Sequence, residues 1–145
     1  EPWPLKLTDE GADSLRFEQG FFLPCRLHSE APALFEKWYL AEAAKIIPAR
    51  VTEIAERHGF SVRRIRLSSA RGRWGSCSAR GAVNINWALI LAPPAALDYV
   101  IAHELAHLRE MNHSPRFWGE VSLLCPDWQK QRRWLRLHQE LLSFP

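Results

Sequence analysis

One stretch of eleven residues, HELAHLREMNH from His103 to His113, constrains the fold more than any other part of this sequence. His103 and His107 are four residues apart, so a helix places both imidazoles on one face, where they can bind the same ion. Two neutral imidazoles suit Zn²⁺, which takes four ligands and, in a catalytic site, keeps one position for water. The stretch therefore predicts a zinc site on a helix, with a third protein ligand still to be found.

The residues around the two histidines indicate that this helix is buried. Val100, Ile101, Leu105 and Leu108 supply an apolar face, and the helix is predicted from residue 93 to about residue 110. Histidines that only pack in a core are the alternative interpretation. A buried glutamate beside them makes that alternative weaker, because an unpaired buried carboxylate is costly.

Glu104 directly follows the first histidine and would point beside the ion. There it could act as general base and take a proton as metal-activated water attacks a peptide carbonyl. The first hypothesis is therefore a zinc-dependent metallopeptidase-like hydrolase. The alternatives are a metal-dependent hydrolase of nucleotide phosphoanhydrides, and a zinc-containing domain that binds nucleic acid or another partner without catalysis. Glu104 argues against the last, since a structural zinc site has a fourth protein ligand and needs no base.

A third ligand requires the chain to reverse after the helix. Asn112 is the residue best able to take a left-handed conformation, so we expect it to end the helix. Ser114 and Pro115 would then start the next helix and leave His113 in a loop near the ion. Glu110 and Glu120 remain alternative third ligands, because zinc also accepts carboxylate oxygen. We expect one zinc ion per chain.

The rest of the sequence reads as short strands followed by helices. LRFEQGFFLPCRL predicts a hairpin around Gln19 and Gly20. A helix follows, with Ser29 as its N-cap and Gly59 just beyond its end. Pro48 interrupts it, which leaves one kinked helix or two abutting ones.

The second half contains two further strands and three helices. FSVRRIRLSS is rich in β-branched residues and favours a strand, whereas ARGRWGSCSARG has three glycines and predicts a loop. Ala82 to Leu91 begins with an apolar residue at every second position, which is typical of a half-buried strand. After the motif helix, a short helix is predicted to about Leu124 and a last one after Pro126. One α+β domain over residues 1–145 is the expected organisation.

Composition narrows the class of protein. A chain of 145 residues with 47% hydrophobic and 24% charged residues is typical of one globular domain. No apolar run is long enough to span a membrane, and the start EPWPLKL is unlike a signal peptide. The three cysteines are odd in number and none forms a CxxC pair, which favours a reducing compartment. We therefore expect a cytoplasmic protein without a membrane partner.

The net charge of +3 is unevenly distributed. Residues 61–80 hold six arginines and no acidic residue, and a second basic group lies near the C-terminus at Lys130, Arg132, Arg133 and Arg136. Such groups fit either solvated faces or attraction of an anionic partner such as phosphate or nucleic acid. No DNA- or RNA-binding motif accompanies them. A peptide or protein substrate is therefore the main expected partner, nucleic acid is weakly supported, and a monomer is favoured.

Three segments together resemble a known family: RWGSCS (residues 73–78), the run from Asn84 to Leu108, and NHSPRFW (residues 112–118). They resemble the YgjP-like metallopeptidase domain, which is related to the SprT and WLM zinc-protease domains. The likeness extends from the QGFFLPC hairpin to the WLRLH helix. It implies a small zincin-like, minimal gluzincin-like fold, in which a short mixed sheet packs against an active-site helix and supporting helices.

The resemblance also implies roles for individual residues. It implies zinc held by His103, His107 and His113, with Glu104 as general base. The pattern His-x-x-x-Phe, formed by His113 and Phe117, is similar to the third-ligand segment of these relatives and favours His113 over Glu120.

In zincins, the strand that precedes the active-site helix is usually the edge of the sheet, and an extended peptide lies along it. The resemblance therefore implies that Ala82 to Leu91 is such an edge strand here. Its backbone would pair with the substrate as an added strand. Asn84 and Asn86 would then line the cleft, although both asparagines facing solvent is an equally good interpretation. Arg73, in the glycine-rich loop, is a third candidate substrate contact. This loop would cover the cleft, with Trp74 packed in the core.

Overall fold

The structure is a computed structural model. It describes residues 5–8, 16–17, 21–24, 31–69 and 72–140. Two compact units divide the chain, one within residues 1–41 and one within residues 42–144. The expectation of a single domain over residues 1–145 stays a prediction.

The first unit contains a sheet of three short strands, β1 (Leu5–Thr8), β2 (Arg16–Phe17) and β3 (Phe21–Pro24). β3 is central, parallel to β1 and antiparallel to β2. The antiparallel pair confirms the two strands of the predicted hairpin. Its turn at Gln19 and Gly20 lies outside the described residues, as does the proposed N-cap Ser29.

The long helix α1 (Ala31–His58) continues through Pro48 as one element. A stripe of buried residues at helical spacing anchors its second half: Ala43, Ile47, Val51, Ile54 and Ala55. The helix ends as predicted at Gly59, which has a φ of +74°. Gly59 N–H donates to the Glu56 carbonyl and Phe60 N–H to the Ala55 carbonyl, the pair of bonds that closes a helix at a left-handed glycine.

The second unit contains a mixed sheet of β4 (Arg64–Ser68), β5 (Gly75–Cys77) and β6 (Ala82–Asn86). Its order is β4-β6-β5, with β4 parallel and β5 antiparallel to β6. The short mixed sheet is therefore confirmed, but two predictions about it are wrong. ARGRWGSCSARG is not entirely a loop, because β5 lies within it. β6 is the central strand, so the strand before the motif helix is not the edge of this sheet.

Only the first half of the segment from Ala82 to Leu91 is a strand. Trp87–Leu91 forms a 3₁₀ helix, because the Asn86 side chain accepts a hydrogen bond from Ala88 N–H at 2.9 Å and caps it. The predicted alternation holds only up to Ile85. Val83, Ile85 and Trp87 are buried and Asn84 is half-buried, but Asn86 is buried as well and does not face solvent.

Three helices complete the second unit: α2 (Pro94–Ala106), α3 (Pro115–Leu124) and α4 (Trp128–Leu137). α2 is the central helix and packs against β5, β6, α3 and α4. The Asp98 carboxylate on α2 accepts two hydrogen bonds from Arg50 on α1, one from Nε and one from Nη2, at 2.7 Å each. This bidentate pair holds the two helices together. The α+β class is confirmed. Within the described residues, no helix is long and apolar enough to cross a membrane.

Candidate metal centre

Helix α2 carries the first part of the motif. His103 and Glu104 lie in its last turn, and His107 is its C-cap residue, with φ −64° and ψ −19°. Because His107 keeps helical dihedral angles, the spacing of four still places it on the same face as His103. The helix ends at Ala106, earlier than the predicted residue 110.

The chain then reverses over residues 107–114. We expected Asn112 to end the helix, but this prediction is wrong, because α2 already stops at Ala106, six residues before it. Instead, Ser114 N–H donates to the Asn112 carbonyl at 2.8 Å and closes a three-residue turn across His113. The Ser114 hydroxyl caps α3 by accepting from Phe117 N–H, and Pro115 occupies the first helical turn. The predicted restart at Ser114 and Pro115, with His113 in the loop before it, is confirmed.

The three histidines converge. One nitrogen of each of His103, His107 and His113 lies within 4.8 Å of the other two, and Nε2 of His107 is 3.2 Å from Nε2 of His113. Two nitrogens that each lie about 2.0–2.1 Å from a tetrahedral ion are about 3.3 Å apart. The spacing and the all-nitrogen donor set therefore fit a zinc ion.

The two competing carboxylates lie elsewhere. Glu120 accepts a hydrogen bond from Arg109 at 2.8 Å, and the Glu110 carboxylate lies 3.9 Å from Arg116. Neither belongs to the group of described side chains that could share an ion. The geometry therefore favours His113 as the third ligand.

In two of the three histidines, the Nδ1 atom has a partner within hydrogen-bond distance. Nδ1 of His107 is 3.2 Å from the Glu110 carbonyl oxygen and Nδ1 of His103 is 3.1 Å from Glu104 Oε2. A proton on Nδ1 leaves Nε2 with a free lone pair, which is the form that binds a metal. At His113, partial burial and the neighbouring His103 and His107 lower the pKa, which favours the neutral ring.

A buried aromatic ring supports all three imidazoles. The ring centre of Phe117 on α3 is 5.0, 4.5 and 4.8 Å from those of His103, His107 and His113. Phe117 is completely buried. The Phe of the His-x-x-x-Phe pattern thus holds the imidazoles in place and excludes water from one side of the site.

Glu104 lies between the histidines and strand β5. Its side chain is 5% exposed. A Cβ atom added to Gly75 would lie 3.1 Å from Glu104 Cγ and 2.9 Å from the Asn84 carbonyl oxygen. The sequence showed a glycine in RWGSCS but not its neighbour, because this contact joins positions 29 residues apart. Glycine is what lets β5 pass so close to Glu104.

A cavity of about 290 Å³ opens beside this carboxylate. His103 and Glu104 form one side, and apolar surfaces of Trp74, Tyr99 and Leu135 form much of the rest. Trp74 is half-buried at the cavity, not packed in the core as predicted. Burial raises the pKa of Tyr99 to about 12, so its hydroxyl is a hydrogen-bond donor at neutral pH.

The three predicted substrate contacts, Arg73, Asn84 and Asn86, do not lie at the same place in the structure. Arg73 lines the cavity, whereas neither asparagine does. Asn84 donates to the Ser76 hydroxyl at 3.1 Å, and the 1% exposed Asn86 donates to the Arg73 carbonyl at 3.2 Å. Both amides thus hold the protein's own strands and loop together. Their roles as substrate contacts stay predictions that this geometry does not support.

The described cysteines do not add a nucleophile. Burial and the nearby charge of Glu104 raise the pKa of Cys77 to about 11, and burial with the contact to Asp127 raises that of Cys125 to about 12. Both are therefore thiols at neutral pH and not the reactive thiolate form. Cys25 lies outside the described residues.

Comparison with known proteins gives a consistent result. Residues 6–138 match the family profile described as YgjP-like, metallopeptidase domain. No curated protein sequence matches the chain. The fold is similar to the crystal structure of the metallopeptidase zymogen abylysin of Pyrococcus abyssi, with a TM-score of 0.57 and 21% identity over 65% of this chain and 96% of that chain. It is also similar to the crystal structure of the metallopeptidase zymogen jannalysin of Methanocaldococcus jannaschii. Here the TM-score is 0.53, with 23% identity over 66% of this chain and 96% of that chain. At these identities the two structures show a shared fold.

Proposed function

Because this chain belongs to the YgjP-like metallopeptidase domain family, we propose that it is a zinc-dependent peptidase. His103, His107 and His113 hold one zinc ion per chain in this proposal, and Glu104 is the general base. The observation that carries it is the convergence of three imidazole nitrogens within 4.8 Å, next to a buried glutamate.

The chain's own groups have defined tasks in this reaction. When bound, zinc supplies a Lewis acid that polarises the scissile carbonyl and lowers the pKa of a water molecule. Glu104 Oε2 accepts the proton that this water loses as it attacks the carbonyl, and returns it to the leaving amine. The low exposure of Glu104 and its 3.1 Å contact with His103 hold the carboxylate in one place. Phe117 keeps the rings oriented.

The substrate path follows from the sheet order. β5 is an edge strand, and no other described strand pairs with its outer side. Because Gly75 brings β5 against Glu104, an extended peptide that adds to this edge would carry its backbone past the general base. The cavity of about 290 Å³ would accept one of its apolar side chains. β5 therefore replaces β6 as the proposed substrate-binding strand.

The alternative functions receive no comparable support. The described group that could hold a metal contains three imidazoles and no carboxylate. Hydrolysis of a nucleotide phosphoanhydride more often uses Mg²⁺ held by oxygen ligands. A non-catalytic zinc domain leaves Glu104, a carboxylate beside an incomplete ligand set, without a task.

The test combines metal content with hydrolysis of unfolded casein. We expect about one zinc per chain in the wild type and in Glu104→Gln, and loss of hydrolysis in Glu104→Gln alone. His113→Ala is expected to lose zinc and activity together. Since both similar structures are of zymogens, the assay is repeated after limited proteolysis. Hydrolysis that survives Glu104→Gln would exclude this glutamate as the base, and absence of zinc from the wild type would exclude the metal centre.

A further inference from the structure

A cationic surface on α4 lies beside the metal centre. Trp128, Arg132, Arg133 and Arg136 line a shallow cavity of about 370 Å³. Trp128, Arg132 and Arg136 are four residues apart and share one helix face. Leu135 of the same helix lines the cavity next to Glu104. We call Arg132, Arg133 and Arg136 the α4 cationic surface, and it borders the catalytic cavity.

Aromatic rings connect this surface to the histidines. The guanidinium carbon of Arg132 lies 5.1 Å from the ring centre of Trp118, which stacks on Trp128 at 4.3 Å. The Trp118 ring is in turn 6.1 Å from that of His113. An extended peptide advances about 3.3 Å per residue, so about three to four residues cover the path from Arg132 through Trp118 to His113. Arg132 is therefore within reach of a peptide bound at the metal centre.

The charges of this surface are not neutralised by the part of the chain that the structure describes. There, no carboxylate lies within ion-pair distance of Arg132, Arg133 or Arg136. By contrast, Arg50 pairs with Glu53 and Asp98, and Arg109 pairs with Glu120. A cluster of unpaired guanidinium groups beside a cleft attracts anions to that cleft.

We propose that Arg132 and Arg136 select peptide substrates that carry a carboxylate within about three to four residues of the cleaved bond. This inference rests on the proposed peptidase function. Guanidinium groups pair with carboxylates through two parallel hydrogen bonds, and Trp118 holds the Arg132 side chain in position for such a pair. The preferred substrates are thus acidic peptide segments.

Binding of defined peptides tests this without requiring hydrolysis. The probe is a ten-residue peptide, acetylated and amidated, with glutamate at every third position and leucine among the others. Its counterpart has glutamine in place of each glutamate. By calorimetry with the Glu104→Gln protein, we expect the glutamate peptide to bind roughly threefold to tenfold more tightly, as for one or two exposed ion pairs. High salt should remove most of this preference.

Matched variants locate the preference. In the Glu104→Gln background, Arg132→Gln/Arg136→Gln is expected to bind both peptides equally, and Arg132→Glu/Arg136→Glu to prefer a lysine counterpart. Arg64→Gln/Arg66→Gln removes the same two positive charges from β4, at the opposite edge of the sheet, and should keep the preference. Equal binding of the two peptides by the parent protein, or an equal loss in Arg64→Gln/Arg66→Gln, would overturn the proposal.

Two further probes separate the sources of the negative charge. If the glutamine peptide gains affinity when its C-terminus is a free carboxylate, and Arg132→Gln/Arg136→Gln removes the gain, carboxylate recognition is supported with the chain terminus as the source. If a ten-nucleotide thymidine strand binds through Arg132 and Arg136 more tightly than the glutamate peptide, the surface is one for nucleic acid and the proposal is wrong. Preferential binding without hydrolysis by the zinc-loaded wild type would keep this inference and refute the peptidase function.

Discussion

Gly75 shows at the scale of one residue how the sheet and the active-site helix meet. A Cβ there would be 2.9 Å from the Asn84 carbonyl oxygen, which is backbone and cannot move freely, and 3.1 Å from Glu104 Cγ. Gly75→Ala must therefore displace Glu104 or strand β5. Because small misplacements of a catalytic group are expensive, we expect kcat/KM to fall about tenfold to a hundredfold.

Zinc content and kinetics distinguish this effect from a loss of the metal. The ligands are untouched, so Gly75→Ala should keep its zinc while its kcat falls. Gly119→Ala is the control, because a Cβ at that position would meet nothing within 4 Å. Unchanged kcat in Gly75→Ala would show that its contact with Glu104 does not position the base.

Asn86 is a second residue whose contribution is structural. It is 1% exposed, and its amide both donates to the Arg73 carbonyl and caps the 3₁₀ helix through Ala88 N–H. Asn86→Ala leaves buried polar groups unpaired, so we expect the free energy of unfolding to fall by about 1–3 kcal/mol. Urea denaturation measures this. Asn84→Ala breaks the hydrogen bond to the partly buried Ser76 hydroxyl, so it should lower the free energy of unfolding by less. An equal decrease in the two variants would contradict the special structural role of Asn86.

At the scale of elements, the turn between the second and third histidines is fastened by Arg109. This side chain donates to Glu120 on α3 at 2.8 Å and to the His58 carbonyl at the end of α1 at 2.9 Å. Its guanidinium also lies 4.0 Å from the ring centre of Phe60. The turn that carries His113 is thus tied to two helices, which reduces the cost of ordering the third ligand.

Arg109→Ala should therefore weaken zinc binding although all three histidines remain. We expect the zinc dissociation constant to rise by about threefold to tenfold, less than the loss typical of a direct partner of a ligand. Competition with a chromophoric chelator measures it. Arg116→Ala is the control, because that side chain is 86% exposed and lies 3.9 Å from its partner Glu110. An unchanged constant in Arg109→Ala would mean that the turn is held by its backbone bonds alone.

The elements also show which parts of the structure local sequence could predict. Three correct predictions depend only on neighbours along the chain. They are the four-residue spacing that places His103 and His107 on one face, the alternation from Val83 to Ile85, and the helix end at Gly59. β5 was missed because backbone hydrogen bonds pair it with β6, and the residue types Gly75, Ser76 and Cys77 do not predict a strand. The parallel pairing of β1 with β3 is equally invisible to a local pattern. Side-chain capping by Asn86 decided where β6 stops.

The same reasoning applies to the candidate site. The proposed ligands His103 and His107 and the proposed base Glu104 follow from motif spacing, and the family resemblance added His113. The proposed substrate edge depends instead on strand order. Strand order is set by contacts between distant segments, so the expectation that β6 is the edge was wrong, and the proposed substrate path uses β5 instead. Arg132 and Trp118 likewise meet only in the folded chain.

At the scale of the whole molecule, zinc should contribute to stability as well as to chemistry. The three proposed ligands come from the end of α2 and from the loop before α3, and their side chains meet only when the second unit is folded. An ion that binds the folded state alone stabilises it by about 4 kcal/mol when its free concentration is a thousand times its dissociation constant. Removal of zinc by a chelator should therefore lower the denaturant midpoint of the second unit.

Urea unfolding, followed by tryptophan fluorescence with zinc or with EDTA, tests this contribution separately from activity. The wild type and Glu104→Gln should lose the same stability in EDTA, because Glu104 is not among the three ligands. His113→Ala should show little difference between the two conditions. If His113→Ala still gains the full zinc-dependent stability, the third ligand must come from elsewhere, with Glu110 and Glu120 the next candidates. If the wild type is equally stable in zinc and in EDTA, the three imidazoles converge without holding an ion, and the proposed chemistry loses its Lewis acid.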